Sequence, residues 1–504
     1  MRAFLIHTLG CKLNQLESES ITDSFLKNGF ELYNERKSEG EEQIESSAPP
    51  SVIVINTCTV TSKADQKARR VIRKALRDYP DSRIIVTGCY AQLNRGDILR
   101  LQTGGRQRLH VIDRENSVDL PRLLADGTNP DINQEPDSSQ RSPDDARRIL
   151  DTFSFNPEKF SRHTRVFLKI QDGCDKHCAY CRIRLARGQS ISLDKEEALS
   201  RLRILEQTHA EAVLTGVNIC QYKSPRTGRQ YEPAKTDVFF AAREEDKSAF
   251  NLPRLLSYLL EGTSKIAIRL SSLAPDSINE ELVSVLSHKR IRPHFHISVQ
   301  SCSNLILEKM GRFYSADTVE KAVSLLRRAK NDPFLACDII TGFPGETEAE
   351  FYKTYNLCQK LDFAWIHVFP FSKRPDTPAF LFTDTVAERE VSKRVRLLTS
   401  LARHSKADYT RRWLGREVEV IIINNGQLIN KNNQNIEPCY GVCENYLKVR
   451  VRRGDEERTA FSPSVKSDIL YPPDNEIPAG TVIKCRLIEE ADNDDFDAVA
   501  SCLF

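Results

Sequence analysis

Long apolar runs are missing from this chain of 504 residues, and their absence limits where the protein can work. No stretch reaches the ~18 consecutive apolar residues of a membrane-spanning helix, so we expect no membrane partner. The apolar run after Met1 is too short for a secretory signal peptide, and Lys12 and Glu17 follow it closely. The sequence therefore predicts a cytoplasmic protein.

The chain also lacks a strong net charge, which is only +3 because 73 Lys and Arg residues nearly balance 70 Asp and Glu residues. The overall balance therefore indicates no particular partner. Two stretches nevertheless carry a local excess of positive charge. Lys63–Arg77 holds seven basic residues against one acidic residue, and Arg389–Arg416 holds nine basic residues against two acidic residues. Such stretches suit contacts with phosphates, although two solvated helix faces would give the same pattern.

Internal repeats are missing too, and composition instead divides the chain into three regions, the number expected at about 150 residues per domain. Residues 1–127 alternate short apolar runs with helical patterns, which predicts a parallel α/β sheet domain. The predicted strands are Ala3–Ile6, Val52–Ile55, Arg83–Val86 and Leu109–Ile112, and the predicted helices are Glu17–Asn28, Lys63–Asp78 and Val118–Ala125.

The middle of the chain alternates in the same way. Residues 128–163 are rich in Asp, Ser, Pro, Asn and Gln, and we interpret them as a linker or surface loop. Residues 164–405 then fit either a partial (β/α)6 barrel or a doubly wound sheet, with the polar segment Lys223–Phe250 as an inserted loop. The predicted strands are Val166–Ile170, Ala212–Leu214, Ile266–Leu270, Phe295–Val299, Leu335–Ile340 and Phe363–Phe369.

The last region, residues 406–504, differs in character from the first two. Its predicted strands are Val418–Ile423, Tyr446–Val451 and Thr481–Leu487, with Gly and Pro between them. This pattern favours a small all-β module, most simply a compact barrel. The predicted fold class is therefore α/β for two domains, followed by a small all-β barrel.

Cysteine, in contrast, is abundant, with 14 residues, and in a reducing compartment clustered cysteines indicate metal binding or catalysis. Cys174, Cys178 and Cys181, here called the loop trio, lie in the phrase QDGCDKHCAYC. Three thiolates on one loop can hold three corners of a [4Fe–4S] cubane and leave one iron open. The alternatives are core packing of small side chains, or a zinc site with a fourth ligand such as His177.

Three further cysteines, Cys11, Cys58 and Cys89, are here called the strand-end trio because each ends a similar phrase: FLIHTLGC, VIVINTC and IIVTGC. Residues that follow neighbouring parallel strands emerge at one edge of the sheet, so we expect these cysteines to converge on a shared metal site. Gly10 and Gly88 precede two of them and allow tight loops. The alternative is three unrelated buried cysteines.

The other eight cysteines carry a weaker signal. Cys439 and Cys443 have the spacing of a ligand pair, but no second pair accompanies them. We interpret all eight as packing residues.

Beyond the cysteines, the chain resembles the methylthiotransferase family of radical-SAM enzymes, since the spacing of the loop trio marks that superfamily. The other matching phrases are TLGCKLNQLES, INTCTVTSKADQKARR, VTGCYAQ, LTGVN, RLSSLAP, HFHISVQS and DIITGFPGET. Within the family, TLGCKLNQ and NTCTVT are most similar to the branch that acts on N6-threonylcarbamoyladenosine at tRNA position 37.

This resemblance implies a cluster-binding N-terminal domain, a radical-SAM partial barrel and a small RNA-binding barrel of the TRAM type. It implies two [4Fe–4S] clusters, one on the loop trio and an auxiliary one on the strand-end trio. S-adenosylmethionine (SAM) would bind the open iron of the first cluster and be cleaved reductively to a radical that removes hydrogen from adenine C2. A methylthio group would replace that hydrogen, with sulfur from the auxiliary cluster and methyl from a second SAM.

Contacts to SAM are expected from strand ends and glycine-rich turns, because glycine allows close approach of the backbone to a ligand. Ordinary turns between strand and helix would look the same, and no catalytic residue beyond the cluster ligands is assigned. The expected SAM-binding residues are Gly216, Asn218, Ser272, Gln300, Gly342, Gly345 and Glu346.

The expected partners are a tRNA anticodon loop and a reductant protein such as flavodoxin or ferredoxin. Basic residues of the last region beside Tyr446 would suit a single-stranded RNA loop: Lys448, Arg450, Arg452 and Arg453. Two other substrates fit the family, namely isopentenyl-adenosine tRNA and a ribosomal-protein side chain. A non-catalytic iron–sulfur protein that binds RNA or senses redox state is the alternative from another class, but it would not need a SAM-type domain.

Two departures from the family pattern concern the immediate surroundings of the expected sites. Arg182 and Arg184 follow the loop trio where the family usually has an apolar run with proline, which puts the local loop geometry in question. Cys220 and Cys302 occupy places that are often glycine. Neither departure removes a predicted cluster ligand.

Overall fold

The computed structural model describes residues 2–33, 49–102, 104, 107–118, 120–121, 152–157, 160, 165–224, 250–424, 426–427, 439–452, 476–491 and 496–503. The N-terminal region is a parallel sheet with the order β2-β1-β3-β4-β5, which confirms the predicted α/β class. Its strands are β1 (Arg2–Thr8), β2 (Phe30–Leu32), β3 (Val52–Thr57), β4 (Arg83–Gly88) and β5 (Leu109–Val111). Its helices are α1 (Lys12–Lys27), α2 (Ser62–Asp78), α3 (Cys89–Leu93) and α4 (Arg95–Leu99).

The central strand β3 shows why this sheet forms. All six of its residues are buried, as expected for a β-branched run in a parallel sheet that is covered on both faces. Ile53 packs with Ile72 of α2 on one face, whereas Val54 packs with Phe25 of α1 on the other. The two helices therefore sandwich the sheet, and every strand ends at the same edge.

Some of the predicted helix and strand limits differ from those in the structure. Helix α1 begins at Lys12 rather than Glu17, because extended Cys11 already serves as its N-cap residue. The three-residue edge strand β2 was not predicted, and the helix predicted over Val118–Ala125 lies largely outside the described residues. The predicted linker is not wholly a surface segment, since Phe153 and Phe155 are buried in the two neighbouring apolar cores.

The middle region contains the six predicted parallel strands and a short antiparallel pair, β7 with β8. The strands are β6 (Val166–Lys169), β7 (Gln171–Asp172), β8 (Ile191–Ser192), β9 (Glu211–Thr215), β10 (Ala267–Leu270), β11 (His294–Gln300), β12 (Phe334–Thr341) and β13 (Trp365–Pro370). The helices are α5 (Ile183–Arg187), α6 (Lys195–Glu206), α7 (Leu252–Gly262), α8 (Glu280–Leu286), α9 (Asn304–Lys309), α10 (Ala316–Ala329), α11 (Glu348–Lys360) and α12 (Glu388–Trp413).

The order of these strands decides between the two predicted architectures. Two parallel sheets, β6-β9-β10 and β11-β12-β13, are joined by isolated parallel bridges such as the one between Ile268 and Ile291. Spatial order thus follows chain order without the reversal that defines a doubly wound sheet. The region is a partial barrel, as predicted, and most of the segment Lys223–Phe250 lies outside the described residues.

The barrel has an apolar exterior under its helices and a polar interior. Along β11, Phe295, Ile297 and Val299 belong to the apolar core beneath the helices. The alternate residues His296 and Ser298 point into the barrel, since successive side chains of a strand face opposite sides. The barrel interior can therefore hold polar groups and a polar ligand.

The last region is a closed five-stranded barrel with the order β14-β16-β17-β20-β19, which confirms the predicted all-β module. The barrel strands are β14 (Glu417–Ile422), β16 (Cys439–Cys443), β17 (Lys448–Arg452), β19 (Val482–Glu490) and β20 (Ala498–Cys502). Two short strands, β15 (Gly426–Gln427) and β18 (Glu476–Ile477), form a separate antiparallel pair. Strands β16 and β20 were not predicted, and four cysteines, including Cys439 and Cys443, lie in the barrel's apolar core. Among the helices in the described ranges, none combines the length and apolar character that crossing a bilayer requires.

Candidate functional site

The strand-end trio lies at the carboxyl edge of the N-terminal sheet. Strands β1, β3 and β4 are neighbours in register, and Cys58 and Cys89 directly follow the two residues that pair across β3 and β4, Thr57 and Gly88. A side chain at Gly10 would place its Cβ only 2.6 Å from Cys58 Cβ, so the Cys11 loop passes directly against Cys58. The structure brings the three predicted cysteines together at this edge.

Two asparagines that sequence reasoning missed fix these loops. The Asn14 side chain accepts from Cys11 Sγ over 3.3 Å and donates to Asn56 Oδ1 over 2.9 Å. Asn14 also donates to the backbone carbonyl of Thr57 over 3.2 Å. Both asparagines are fully buried, so they tie the Cys11 loop to the residues just before Cys58.

The electrostatics of the strand-end trio suit a metal cluster. Burial raises the pKa of the Cys58 thiol to about 12, and repulsion from Cys11 and Cys89 adds to the shift. Burial likewise raises the pKa of Cys89. Three neighbouring thiols are a donor set that iron would convert into thiolates, since metal binding displaces their protons.

The loop trio is held between the carboxyl ends of β6 and β9 and the start of α5. Gly173, with φ of +70°, leaves no room for a side chain, because a Cβ there would lie 1.9 Å from the Gln189 carbonyl oxygen. Cys174 N–H donates to the Gly188 carbonyl over 3.0 Å, and Cys181 N–H donates to that of Cys178 over 3.1 Å. The turn is therefore fixed by backbone contacts at both ends.

The thiols of this loop also face one another. Burial raises the pKa of Cys181 to about 12, with further repulsion from Cys178 and Cys174. Arg312 donates from Nη1 to Cys178 Sγ over 3.5 Å, and sequence reasoning gave no signal for it. A cationic donor beside a cysteine sulfur favours the negatively charged, metal-bound form.

Within the described ranges, no three Cys, His, Asp or Glu side chains converge tightly enough to hold one ion. A cubane places each thiolate on a different iron, so its ligands stand further apart than those of zinc. His177, the possible fourth zinc ligand, instead contacts Arg184.

A cavity of about 300 Å³ opens beside the loop trio at the carboxyl ends of the barrel strands. All three cysteines of the trio contribute to its wall. Asp338 and Phe369, which sequence reasoning missed, also line it. Val60 and Thr61, which follow Cys58, close it from the N-terminal domain. The chain thus provides a pocket of ligand size at the loop trio, and the segment that follows Cys58 forms part of its wall.

The predicted SAM-binding residues divide into two groups. Asn218, Ser272 and Gln300 line the cavity, and Gln300 reaches it in a left-handed conformation, with φ of +67°, that is uncommon outside glycine. The other four residues are not among those that line the cavity in the described part of the chain: Gly216, Gly342, Gly345 and Glu346.

In the structure, those four residues make contacts that stabilise turns at the ends of strands. Gly216 packs against Gln171, where a Cβ would lie 2.8 Å from the backbone oxygen. The Glu346 carboxylate accepts from Gly342 N–H over 2.7 Å and from Arg394 over 2.6 Å, and Gly345 N–H donates to Asp384. These bonds join the turn after β12 to α12 and to the segment that precedes this helix.

The two arginines that follow the loop trio do not disrupt it. Arg182 is buried and donates to Asp376 Oδ2 over 2.9 Å. Arg184 lines the cavity and contacts His177. Cys302 is buried in the barrel's apolar core, and Cys220 Sγ accepts from Ala274 N–H over 3.3 Å. The unusual residues are therefore accommodated around an intact loop.

The two basic stretches have different structural roles. On α2, five exposed cations form no ion pair within the described residues: Lys63, Lys67, Arg70, Arg73 and Lys74. On α12, by contrast, Arg394 pairs with Glu346 at 2.6 Å, and Lys406 pairs with Asp497. The first stretch leaves its charge available to a partner, whereas much of the second holds the fold together.

The basic residues expected on the C-terminal barrel are also partly engaged. Tyr446 stacks on His294 with ring centroids 4.1 Å apart, so it faces the middle region rather than solvent. Arg452 pairs with Glu489 at 2.6 Å, and Arg453 lies outside the described residues.

Comparisons with known proteins agree with this arrangement. The model described as "Uncharacterized protein family UPF0004" matches residues 3–105, and the radical SAM superfamily matches residues 168–358. The threonylcarbamoyladenosine tRNA methylthiotransferase MtaB of Treponema pallidum is 36% identical over 83% of this chain and 90% of its own length. The protein of the same name from Bacillus subtilis is 33% identical over 92% and 94%, respectively.

Among solved structures, the radical S-adenosylmethionine methyltransferase TsrM of Kitasatospora setae aligns over 73% of both chains, with 15% identity and a TM-score of 0.47. The sequence relationship is much the stronger one, because a relative with 36% identity spans most of both chains. Both family models also fall on the regions that carry the two cysteine trios. The chain therefore belongs to the radical-SAM methylthiotransferase family, in its MtaB branch, and is an enzyme.

Proposed function

We propose that this enzyme adds a methylthio group to C2 of N6-threonylcarbamoyladenosine at position 37 of tRNA. The observation that carries the proposal is the shared cavity: the loop trio lines it, and Val60 and Thr61, which follow Cys58 of the strand-end trio, close it. A base bound there would contact both the loop trio and the segment that follows Cys58. Two relatives named threonylcarbamoyladenosine tRNA methylthiotransferase support this nucleoside as the substrate.

In this proposal each trio holds one [4Fe–4S] cluster, and SAM occupies the cavity beside the loop trio. When bound, the two clusters supply the electron for reductive cleavage of SAM and the sulfur for transfer. The chain's own residues bind and enclose the reactants: Asn218, Ser272 and Gln300 offer polar groups to SAM, while Phe369 and Phe371 exclude water. The residues of the turn after β12 hold that wall rather than touch SAM.

The surface beside the cavity suits an RNA partner. Helix α2 begins at Ser62, next to Thr61 at the cavity wall, and its five exposed cations, which have no ion-pair partner among the described residues, follow along the exposed face. Phosphates of an anticodon loop would contact this face, because local positive charge governs binding to nucleic acids. A reductant protein and a TRAM-type RNA-binding role of the C-terminal barrel, residues 406–504, complete the proposal.

The domain limits in this proposal follow the sequence: residues 1–127 bind the auxiliary cluster, 128–163 link, and 164–405 form the radical-SAM domain. In this proposal the three domains together modify tRNA in the cytoplasm.

Nucleoside mass spectrometry tests the substrate. Deleting the gene is expected to abolish the methylthio derivative of threonylcarbamoyl-adenosine in tRNA, and wild-type chain, but not Cys58→Ala, should restore it. Cys178→Ala should also abolish SAM cleavage, whereas Cys58→Ala should keep part of it. Cys220→Ala is the matched control, because Cys220 lies outside both trios. Unchanged levels of this nucleoside after deletion would contradict the proposal.

The same measurements separate the alternatives. Loss of the methylthio derivative of isopentenyl-adenosine would indicate the related tRNA substrate, and a mass change on a ribosomal protein would indicate a protein substrate. Purified protein that binds iron and RNA but yields no deoxyadenosine from SAM would indicate a non-catalytic role.

A further inference from the structure

We infer that Arg187 is a positioning residue for the strand-end trio, which it reaches from the segment that carries the loop trio. Arg187 ends α5, six residues after Cys181, and its Nε donates to Cys89 Sγ over 3.2 Å. The guanidinium is 1% exposed. The inference rests on the proposed auxiliary cluster and deepens it, because it names the residue that orients one ligand sulfur and tunes the cluster's reduction potential.

Arg187 belongs to a buried ionic network that involves both trios. Its Nη1 lies 2.9 Å from Glu17 Oε1 and 3.1 Å from Asp172 Oδ2. Asp172 also accepts from Arg114 over 2.7 Å and from Lys169 over 2.9 Å. Glu17 and Arg114 come from the N-terminal domain, whereas Asp172, Lys169 and Arg187 come from the middle region.

The network fastens the loop trio at its two ends. Asp172 lies two residues before Cys174, and Arg187 lies six residues after Cys181, so their contact closes the segment that carries these cysteines. Glu17 belongs to α1, whose N-cap residue is Cys11 of the strand-end trio. A displacement of Arg187 would therefore disturb both cysteine sites.

The charges of the network leave a place for a negatively charged sulfur. Three cationic side chains, those of Arg114, Lys169 and Arg187, face the two carboxylates of Glu17 and Asp172. Buried charges require compensation, so the buried guanidinium of Arg187 favours an anion beside its Nε. Cys89 Sγ at 3.2 Å from Arg187 is in position to supply it as a metal-bound thiolate.

A hydrogen bond to a ligand sulfur changes the chemistry of a cluster as well as its position. The reduced cluster carries one more negative charge than the oxidised cluster, so a guanidinium at the sulfur stabilises the reduced state more. Hydrogen bonds of this kind raise the reduction potential of iron–sulfur centres. Arg187 should therefore raise the potential of the auxiliary cluster, and Arg312 beside Cys178 occupies the corresponding place in the loop trio.

The test uses full-length protein that also carries Cys174→Ala, Cys178→Ala and Cys181→Ala, so that the spectroscopic signal comes from the auxiliary cluster alone. The cluster is reduced by one electron from dithionite, and its midpoint potential is followed by electron paramagnetic resonance. Arg187→Gln should lower the midpoint potential by about 59 mV. At a fixed applied potential, this shift lowers the ratio of reduced to oxidised cluster about tenfold. Arg187→Lys should give an intermediate value because it keeps the charge.

Arg114→Gln is the matched control, because Arg114 contributes the same charge to Glu17 and Asp172. It should shift the midpoint less than Arg187→Gln does. Equal shifts in the two variants, or no shift in Arg187→Gln, would overturn the assignment while leaving the auxiliary cluster intact. No iron in the parent protein would overturn both the inference and the proposed auxiliary cluster.

A folding defect is separated from tuning by a charge-balanced variant. Glu17→Gln combined with Arg187→Gln removes one anion and one cation together, and circular dichroism checks that the protein is folded. Its midpoint should lie below that of Glu17→Gln alone. Equal midpoints would also overturn the role of Arg187.

Discussion

Arg374 Nη2 lies 2.7 Å from Asp65 Oδ2, and this ion pair joins the segment after the last barrel strand to the N-terminal domain. The same guanidinium donates to Thr59 Oγ1 over 2.7 Å, and Thr59 directly follows Cys58. Both charged side chains are buried. The rim of the cavity and the loop of the strand-end trio are therefore held by one arginine.

Replacing Arg374 should damage both stability and sulfur transfer. Arg374→Gln leaves Asp65 buried without its partner, so the free energy of unfolding should fall by about 3 kcal/mol, the cost of breaking a buried pair. Denaturant unfolding measures this change. Formation of the methylthiolated nucleoside should fall further than SAM cleavage, because the contact reaches the Cys58 loop rather than the loop trio.

Lys373→Gln is the neighbouring control, because Lys373 is exposed, and it should leave both quantities nearly unchanged. Equal losses of stability in the two variants would contradict the structural role of Arg374.

Helix α2 is expected to bind tRNA through its unpaired cations. A variant with Lys67→Glu, Arg70→Glu and Lys74→Glu should weaken tRNA binding, and the slope of log affinity against log salt should become shallower by about 2, since each lost phosphate contact removes about 0.7–0.9. Fluorescence anisotropy over a salt series measures both effects. Unfolding should change little, because these side chains are exposed and contribute no buried contact.

The matched control carries the same change in charge at the opposite end of the barrel. Arg203, Lys265 and Lys289 are exposed and lie at the amino ends of the barrel strands, since Arg203 is in the last turn of α6 and the two lysines precede β10 and β11. Replacing these three by Glu should affect the slope less than the α2 variant does. Equal slopes would show that total charge, rather than the α2 face, governs binding.

Protonation of His367 should destabilise the fold in mildly acidic solution. Burial lowers the pKa of His367 to about 4, and nearby His296 adds to the shift. Its ring stacks on that of His296 with centroids 5.0 Å apart, and Trp365 donates to its Nδ1 over 3.2 Å. The unfolded chain binds this proton near the ordinary pKa of ~6.5, so the unfolded state gains protons first as pH falls.

The free energy of unfolding should therefore decline more steeply in the wild type than in His367→Asn between about pH 6.5 and pH 4. The extra decline should be on the order of 1 kcal/mol, because each pKa unit is worth about 1.4 kcal/mol and partial exposure of the ring screens the effect. Urea unfolding at several pH values measures the difference. Parallel curves for the two proteins would exclude a shifted His367.

The cysteine sites and the fold could be predicted because they depend on local patterns. An apolar strand followed by cysteine is visible at Cys11, Cys58 and Cys89, and the parallel arrangement of the strands brings their ends to one edge. The loop trio lies within eight residues, so its spacing alone indicates a shared ligand. Alternation of strand and helix likewise predicted the six parallel strands, but it left a partial barrel and a doubly wound sheet equally possible until the strand order was known.

The polar contacts between domains could not be predicted. Arg187 meets Cys89, and Arg374 meets Asp65, across 98 and 309 positions of the chain, and neither arginine differs locally from others in the sequence. Asn14 and Asn56 looked like ordinary polar residues beside a strand and a helix. The contact of Glu346 with Arg394 was missed for a related reason, because a glycine-rich turn gives no indication of a partner 48 positions away.

The most direct test of the whole account is anaerobic quantification of iron and sulfide in three proteins. Wild type should hold about eight irons per chain, and about four should remain when either trio is replaced by alanine, since each cubane contains four. That result would show two independent clusters on Cys174, Cys178 and Cys181, and on Cys11, Cys58 and Cys89. Four irons in the wild type, or unchanged iron after replacing the strand-end trio, would contradict it.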